Sequence, residues 1–364
     1  MDYTIIKSKF IIDIIDYKFE EDILNHIITN SYNSKIEKYK IIDFIGSGVI
    51  GKIYLLENLD GTNKKEYVIK ISNDDCDGDL MDEIRTFKKY YEKNRIVHKL
   101  YPKFYGKISN MDCFAIIYPY VGKYNLEKIK SININFSYNN NISIIIQIIT
   151  QLKSLTNLIH CDLKTANIVI SDNDLTATII DIGLLRPSNI NNNVYSTNFI
   201  TSPESLLTFN SFLDCVYDNF SVDKHDYFGL FTIVISLFTK IDYWSIISYY
   251  LIDELKIKKD FIISQESSLL YVYIWYKFNN KKIENISLFN VITKIEALYP
   301  TLLKKEYIDY NTFFRKYIIP SINSDIINED KLILLKNFTN LLIKFEPNER
   351  PSYDVLLTHP FLQV

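Results

Sequence analysis

Three oxygen-bearing side chains near the middle of the chain could bind a divalent cation or move a proton. They are Asp162, Asn167 and Asp181; Asn167 begins a predicted strand over 167–170 and Asp181 ends another over 178–181. One amide oxygen and one carboxylate on separate short strands suit Mg²⁺, which binds few protein ligands and keeps most of its waters. Each carboxylate also has a structural interpretation, with Asp162 as a helix-end cap and Asp181 as a turn residue.

A glycine-rich segment lies well before these residues. Residues 45–53 read Ile45-Gly46-Ser47-Gly48-Val49-Ile50-Gly51-Lys52-Ile53 and contain G-x-G-x-x-G. In a dinucleotide-binding fold this pattern opens a helix and an acidic residue follows about 20 positions later. Here the chain continues as a β-type run over 52–56, so the pattern favours a hairpin whose backbone N–H groups can approach phosphates. The alternative is a hairpin whose glycines serve only its turn.

A lysine and a glutamate follow the glycine segment. Lys70 lies in a β-type run over 67–71, where a solvated edge charge is the common interpretation. Glu83 shares one face of a predicted helix over 79–94 with Leu80, Phe87 and Tyr90. A carboxylate on an apolar stripe needs a partner, because a buried unpaired charge is costly. A pair between Lys70 and Glu83 would fix the ammonium for a phosphate ligand.

The elements that would position these residues fall into two groups. Short β-type runs over 40–45, 52–57 and 67–71, separated by the glycine turn and by Asp60-Gly61, predict a meander, and 114–120 predicts a further strand. From 126 onward the pattern is mostly helical, with apolar residues at helical spacing from Ile142 to Leu152. The order predicts an α+β chain with a small β-rich lobe and a larger, mainly helical lobe. Residues 1–36 are interpreted as a partly helical extension without assigned function.

Five motifs in this order resemble the eukaryotic-type protein kinase family. The stretch His160-Cys161-Asp162-Leu163-Lys164-Thr165-Ala166-Asn167 resembles the catalytic loop H-R-D-L-x-x-x-N, and Asp181-Ile182-Gly183 resembles D-F-G. Ser202-Pro203-Glu204 resembles A-P-E, residues 226–230 resemble the start of the central helix, and residues 346–362 resemble the closing segment. The resemblance covers about 39–362 and implies the two-lobed protein-kinase fold, ATP, Mg²⁺ and phosphoryl transfer to a protein hydroxyl.

By this resemblance Asp162 is the catalytic base, Lys164 matches the serine/threonine pattern, and Asn167 and Asp181 hold Mg²⁺. Thr197 matches a threonine that contacts the catalytic loop. Tyr118 is the gatekeeper of a hinge, and adenine would bond the Pro119 carbonyl and the Val121 N–H. The implied nucleotide contacts are Ile45, Gly46, Ser47, Gly48, Val49, Ile50, Gly51, Ile53, Val68, Lys70, Glu83, Tyr118, Pro119 and Val121.

The resemblance also implies structural roles. Glu204 and Arg350 would form a buried ion pair, and Asp226 would brace the backbone of the catalytic loop. Four positions depart from the family pattern, because Cys161 replaces the loop arginine, Ile182 the phenylalanine of D-F-G, Phe231 a helix glycine and Ile50 an aromatic residue. The chain is therefore a variant without the loop arginine, which puts phosphate-dependent activation in doubt.

An active, ATP- and Mg²⁺-dependent serine/threonine kinase explains the complete set of motifs. A pseudokinase that acts as a nucleotide-binding scaffold is the first alternative, and a kinase of small molecules is the second. Retention of Lys70, Glu83, Asp162, Asn167 and Asp181 argues against the scaffold, and Ser202-Pro203-Glu204 with Arg350 argues against the small-molecule kinase.

Composition agrees with an ordinary globular enzyme. The net charge of −3 gives no basic field for nucleic acid, and the four scattered cysteines predict reduced thiols rather than a zinc site or disulfides. No signal peptide or membrane span is predicted, so we expect a cytoplasmic monomer acting on a protein substrate. The Ile, Asn, Lys and Tyr bias is typical of an AT-rich genome, and a large DNA virus would place the protein in host cytoplasm or the virion.

The expected domain limits follow from the same resemblance: an extension over 1–36, an N-lobe over 37–118, a hinge over 119–122 and a C-lobe over 123–364. The interval from about 241 to 330 is longer than the family's C-lobe needs and predicts a helical insertion. Its aromatic run, residues 268–276, is interpreted as extra core, with a docking face as the alternative.

Overall fold

The computed structural model divides the chain into two compact units. The first comprises Met1–Lys123 with Ile180–Gly183, and the second comprises Tyr124–Ile179 with Leu184–Val364. The residues that the structure describes are 11–14, 27–32, 35–48, 50–59, 66–73, 77–87, 89, 104–108, 113–188, 202, 203, 205, 224–257, 267–279, 292, 293, 296, 297 and 307–363.

The first unit is a closed barrel of seven strands in the order β1-β2-β3-β4-β5-β7-β6. Neighbouring strands are antiparallel except β1 and β6, which pair in parallel. The strands are β1 Ile11–Ile14, β2 Ile27–Tyr32, β3 Lys35–Ser47, β4 Gly51–Asn58, β5 Glu66–Ser72, β6 Phe104–Ile108 and β7 Cys113–Pro119.

Alternation of side chains builds the core of this barrel. Tyr54 and Leu56 on β4 are buried, as are Tyr67, Ile69 and Ile71 on β5, because every second residue of a strand faces the same side. The predicted meander is therefore confirmed. The register of β3 against β4 shifts between Ile41 and Asp43 and again between Phe44 and Gly46, next to the glycine turn.

The amino-terminal extension differs from expectation. The sequence predicts a partly helical segment over 1–36, but its described residues form β1, β2 and the start of β3. Residues 11–14 form a strand because they pair with β2 and with the distant strand β6. Local periodicity does not reveal such pairing.

Helix α1, which spans Asp77–Phe87, packs against strand β7 of the barrel. The rest of the predicted 79–94 helix lies outside the described residues except Lys89. Residues Leu80 and Ile84 of α1 pack with Ile116 of β7. The same face carries Glu83, which is 2% exposed, so the expected polar member of an apolar stripe is confirmed.

The second unit is mainly helical. Its small strands are β8 Tyr124–Asn125, β9 Leu158–Ile159, β10 Ile168–Ile170, β11 Ala177–Ile179 and β12 Arg186–Pro187, paired as β11-β10-β8 and β12-β9. Its α-helices are α2 Leu126–Ser131, α3 Tyr138–Ser154, α4 Asp226–Phe238, α5 Tyr243–Tyr249, α6 Ser267–Asn279, α7 Tyr310–Phe313, α8 Ile319–Ser321, α9 Glu329–Leu342 and α10 Tyr353–Leu357.

Further short helical segments join these elements. Two are π-helical, Tyr250–Glu254 after α5 and Phe314–Ile318 between α7 and α8. The 3₁₀ turns are Thr165–Asn167, Ile182–Leu184, Pro347–Glu349 and Pro360–Leu362, of which Ile182–Leu184 includes residues of both units.

Helix α4 is the centre of the second unit. It is buried along almost its whole length, and its Phe231 packs edge-on against Tyr243 and Trp275. Gly229 is required at its position, because a Cβ atom there would lie 2.2 Å from the carbonyl oxygen of Leu163. The aromatic core thus has room for the large side chain of Phe231. The position at which the helix comes close to the backbone of Leu163 is that of Gly229.

The aromatic run of the predicted insertion belongs to the core. Tyr271, Tyr273 and Trp275 of α6 are each at most 2% exposed, and Tyr276 is half-buried against Phe345. The burial of residues 270–275 supports the extra-core interpretation of this run over the docking face. The limits of the insertion and of the lobes remain predictions. Across the described parts of the chain, no helix combines the length and apolar character needed to cross a bilayer.

Candidate active site

A charged cluster in the first unit centres on Lys70. Its ammonium lies 2.6 Å from Oε2 of Glu83 and 3.5 Å from Oδ1 of Asp181. Burial alone would lower the pKa of Lys70, but the charges of Glu83 and Asp181 outweigh it and raise that pKa above its usual value. The Lys70 ammonium is therefore charged at neutral pH, and it loses its proton as pH rises through the raised pKa. The predicted pair of Lys70 with Glu83 is confirmed.

Tyr118 adds a second contact to Glu83. Its hydroxyl donates to Oε1 of Glu83 at 2.7 Å, so the two carboxylate oxygens have different partners. The sequence assigned Tyr118 only to the hinge, because nothing in the local pattern connects β7 with α1. Tyr118 fixes the rotation of the carboxylate that holds Lys70, since an oriented carboxylate accepts two directed bonds.

The segment around Asp181 has an unusual backbone. Asp181 has a φ of 61°, in the left-handed region that non-glycine residues adopt only when their surroundings enforce it. Thr86 of α1 donates to the carbonyl of Gly183 at 3.4 Å, and Ile182 is buried. The side chain of Asp181 keeps 35% of its exposure, so its oxygens are accessible to a ligand.

The glycine turn between β3 and β4 combines open space with tight packing. A Cβ atom at Gly46 or Gly48 would meet no heavy atom within 4 Å, whereas one at Gly51 would lie 2.2 Å from the carbonyl oxygen of Ile71. Gly51 is thus needed for strand packing, and Gly46 and Gly48 leave room for a ligand. The N–H of Gly48 donates to the carbonyl of Gly51 at 2.9 Å, so this N–H is engaged within the turn.

A half-buried apolar surface lies beside Lys70. Ile53 is the cross-strand partner of Lys70, and Val68 precedes Lys70 by two residues on β5, so the three side chains share a face of the sheet. Ile45 is also half-buried. Apolar side chains that are outside the barrel core but next to an ammonium suit a flat aromatic ring joined to phosphates. Pro119 ends β7, where its missing N–H removes nothing from the interior of the sheet.

Ile50 has a structural role. It packs on the cluster of Leu80, Ile84 and Ile116, and its carbonyl accepts from the N–H of Asn73 at 2.9 Å. Ile50, which stands where the resemblance implies an aromatic residue, thus provides an apolar contact between the glycine turn and α1.

The loop of the second unit that contains Asp162 fixes the orientation of its carboxylate. Nζ of Lys164 lies 2.7 Å from Oδ2 of Asp162, and Nδ2 of Asn167 donates to the same oxygen at 3.1 Å and to the Asp162 carbonyl at 2.8 Å. Only 13% of the Asp162 side chain is exposed. Two donors on Oδ2 fix the orientation of the carboxylate. Because the amide nitrogen of Asn167 serves Asp162, its oxygen is the atom suited to a cation.

Asp226 holds the backbone just before this residue. Its carboxylate accepts from the N–H of His160 at 2.7 Å and from that of Cys161 at 3.0 Å, and it is 2% exposed. The predicted brace is confirmed. Charge-assisted bonds from two successive N–H groups make the loop part of the fold rather than a surface excursion.

Cys161 has a φ of 70° and is buried. Burial is the first cause that raises the pKa of its thiol well above the usual value, and the charge of Asp226 is the second. The thiol is therefore neutral at physiological pH, as expected of a loop without arginine. Arg186 follows the same loop on β12, where it pairs with Ile159.

Arg350 is buried but not isolated. Its guanidinium donates to the carbonyls of Lys344, Lys224 and Phe345, and it lies 4.8 Å over the ring of Phe228. The predicted partner Glu204 lies outside the described residues, as do Val49 and Thr197.

A family comparison agrees with this geometry. The model of the protein kinase domain matches residues 39–362. The chain belongs to the protein kinase family. Its barrel-like amino-terminal sheet and mostly helical remainder are those of the two-lobed kinase fold, as the resemblance implied.

Two curated proteins and one solved structure are similar to this kinase domain. Serine/threonine-protein kinase D of Synechocystis sp. is 26% identical over 42% of the chain, and the probable serine/threonine-protein kinase yakA of Dictyostelium discoideum is 32% identical over 44%. These matches span only 31% and 11% of the two relatives' lengths. A crystal structure of a kinase domain superimposes with a TM-score of 0.61 at 18% identity, covering 89% of this chain and 95% of that one.

Proposed function

We propose that this chain is an active serine/threonine protein kinase that transfers the γ-phosphoryl group of ATP, with Mg²⁺, to serine and threonine hydroxyls of a protein substrate. The observation that carries the proposal is the orientation of Asp162 by Lys164 and Asn167 in a loop braced by Asp226. Both curated relatives are named as serine/threonine kinases, which supports the same acceptor class.

Asp162 acts as the base. Its carboxylate takes the proton of the acceptor hydroxyl as that oxygen bonds to the γ-phosphorus and the bond from phosphorus to the β–γ bridging oxygen breaks. Lys164 lies beside Asp162 and offers a positive charge to the transferred group. The products are a phosphorylated side chain and ADP.

Residues of the first unit hold the nucleotide. Lys70, fixed by Glu83, meets the phosphates, and Ile45, Ile53 and Val68 contact the adenine ring. Mg²⁺ neutralises the phosphate charge when it is bound. Asp181 and Asn167 each offer an oxygen of the kind that Mg²⁺ prefers, and both oxygens fit this use because Asp181 is partly exposed and Asn167 bonds through its nitrogen.

The test is a phosphoryl-transfer assay on a degenerate peptide array, with Asp162→Asn beside the unaltered chain. Asparagine keeps the shape but cannot take the proton, so we expect a loss of about 10²–10⁴ in rate with ATP affinity retained. Asp354→Asn is the matched control, because that side chain is 70% exposed and pairs only at the surface with Lys153.

The outcomes separate the alternatives. Undiminished turnover by Asp162→Asn would contradict the assignment of the base. Thermal stabilisation by Mg·ATP without any transfer by the unaltered chain would favour the nucleotide-binding scaffold. Phosphorylation of a small hydroxyl compound but of no peptide would favour the small-molecule kinase.

A further inference from the structure

His225 is a buried polar residue to which the proposed mechanism gives no role. It is 1% exposed, and both ring nitrogens have polar neighbours. Nε2 lies 3.3 Å from the carbonyl oxygen of Cys161, and Nδ1 lies 2.8 Å from Oγ of Ser205 and 3.3 Å from Oγ of Ser202. A buried imidazole is costly unless its nitrogens are matched, so these contacts indicate which nitrogen of the neutral ring carries the hydrogen.

The direction of the hydrogen bonds follows from their partners. A carbonyl oxygen only accepts, so Nε2 carries the hydrogen and Nδ1 is the acceptor of the neutral ring. Ser205 then donates to Nδ1, and Ser202 donates to Ser205 at 3.0 Å. The result is a one-way chain of donors that begins at Ser202 and ends at the carbonyl of Cys161.

This carbonyl belongs to the peptide group that joins Cys161 to Asp162. The N–H of the same peptide donates to Nδ1 of His160 at 3.3 Å, so the peptide is held at both of its polar atoms. The hold matters because Cys161 has a φ of 70°, which a non-glycine residue keeps only when neighbours enforce it.

Asp226 and His225 act on different groups of the loop. Asp226 binds the N–H groups of His160 and Cys161, whereas His225 binds the next carbonyl. Without the His225 bond, the Cys161–Asp162 peptide can rotate to relieve the left-handed backbone while the Asp226 bonds persist. Rotation of this peptide moves Asp162 itself.

We infer that His225 is a positioning residue that couples the Ser202 and Ser205 hydroxyls to the peptide carrying the catalytic Asp162. The inference rests on the proposed role of Asp162. In this arrangement the Ser205 hydroxyl controls the tautomer of His225. Without that hydroxyl, the ring hydrogen can move from Nε2 to Nδ1, and Nε2 then presents a lone pair to the carbonyl oxygen of Cys161. Through this chain, the position of the Ser202-Pro203 segment sets the position of the base.

Two substitutions of similar size separate the two bonds of His225. The amide nitrogen of glutamine reaches about the position of Nε2 and can donate to the Cys161 carbonyl. Asparagine is shorter, so its amide reaches only the position of Nδ1, where its oxygen can accept from Ser205. Steady-state transfer by the full chain is measured for His225→Gln and His225→Asn, with thermal midpoints to compare their folding.

We expect His225→Asn to lose about 10- to 100-fold in kcat with the KM for ATP changed less than about twofold, since a displaced base affects turnover and not nucleotide binding. His225→Gln should keep kcat within about threefold of the unaltered chain. Equal kcat for the two variants, or a kcat of His225→Asn within about twofold of the unaltered chain, would overturn the inference.

Ser205→Ala provides a second test that does not alter the ring. It should lower kcat about three- to tenfold by loss of the tautomer control. Ser236→Ala removes another buried hydroxyl, one that accepts from the N–H of Tyr243 at 3.4 Å, and should leave kcat unchanged at a similar thermal midpoint. If His225→Asn does not fold, an unchanged kcat of Ser205→Ala overturns the inference.

Asp162→Asn, assayed in parallel, separates this inference from the proposed function. Full turnover by that variant removes both. Loss of turnover in Asp162→Asn together with normal kcat in His225→Asn and Ser205→Ala removes only the role of His225.

Discussion

The functional residues of the two units are held in different ways. In the first unit, Lys70, Glu83, Tyr118 and Asp181 are joined to each other by side-chain contacts. In the second unit, Asp162, the base of the proposed mechanism, follows two backbone N–H groups that are bound by the buried carboxylate of Asp226.

The difference separates ligand binding from folding. The cluster around Lys70 includes a partly exposed carboxylate, Asp181, which can turn toward a ligand without breaking the buried pair of Lys70 with Glu83. The loop before Asp162 cannot rearrange without leaving buried N–H groups unpaired, which costs folding free energy. Substitutions in the first unit should therefore act mainly on nucleotide use, and those in the second on both turnover and stability.

The largest effect is expected for Asp226→Asn. The amide offers one acceptor where two N–H groups need one each, and its NH₂ faces a donor. Hydrogen bonds to charged groups contribute about 1.5–3 kcal/mol each, so we expect about 3 kcal/mol of destabilisation together with near-complete loss of transfer. Thermal unfolding and the peptide assay measure the two effects.

Asp309→Asn is the control for this variant. Asp309 caps α7 by accepting from the N–H of Thr312 at 2.7 Å, and asparagine serves equally well as a cap. An Asp226→Asn protein as stable as this control would show that the loop does not depend on the brace, and the contrast between the units would be lost.

Lys70→Met should act on nucleotide use. Removal of a preorganised cation from the phosphates lowers kcat/KM by about 10²–10³. Glu83→Gln should give a milder defect in the same direction, because the amide still contacts the ammonium but lacks the negative charge of the carboxylate. Nucleotide titration and steady-state kinetics measure both.

Lys38→Met is the control for Lys70→Met, because Lys38 is exposed on β3. It should change neither the affinity for ATP nor kcat/KM. A Lys70→Met enzyme with unaltered ATP affinity and turnover would remove the nucleotide role from the first unit.

Tyr118→Phe tests the second contact to Glu83. Loss of one hydrogen bond to a carboxylate should lower kcat/KM about three- to tenfold, because Glu83 keeps its bond to Lys70 but loses its fixed rotation. Tyr39→Phe is a close control, since the Tyr39 hydroxyl also donates to a glutamate, Glu37, in the same barrel. Equal activity of the two variants would mean that Tyr118 does not orient Glu83.

The smallest effect is expected for dephosphorylation. The neutral Cys161 thiol gains nothing from a phosphate on the segment after Asp181, so phosphatase treatment should change the rate less than about tenfold, or roughly 1.4 kcal/mol of barrier. Mass measurement and peptide phosphorylation before and after treatment check this. A collapse that autophosphorylation restores would show that another basic residue, for which Arg186 is a candidate, takes the role of the arginine.

Much of the site could be predicted from residue types and spacing. Lys70, Glu83, Asp162, Asn167, Asp181 and Asp226 stand in short motifs, and the structure bears out the pair of Lys70 with Glu83 and the brace of Asp226. Tyr118 as a partner of Glu83 could not be found this way, because the two residues are 35 positions apart and strand β6 lies between their elements in the sequence. His225 offered a weak signal, a titratable residue at the start of an apolar helix, but its partners lie far away in the sequence.

The sequence by itself determined the division into a β-rich and a helical part, the family and the residue types available for chemistry, because strand alternation, helical spacing and motif spacing are local properties. The tertiary structure decided which groups meet. It turned residues 11–14 and 27–32 into barrel strands, buried the aromatic run of α6, and assigned Gly51 to packing while leaving space at Gly46 and Gly48. These outcomes depend on contacts between distant segments, whose energies no local pattern contains.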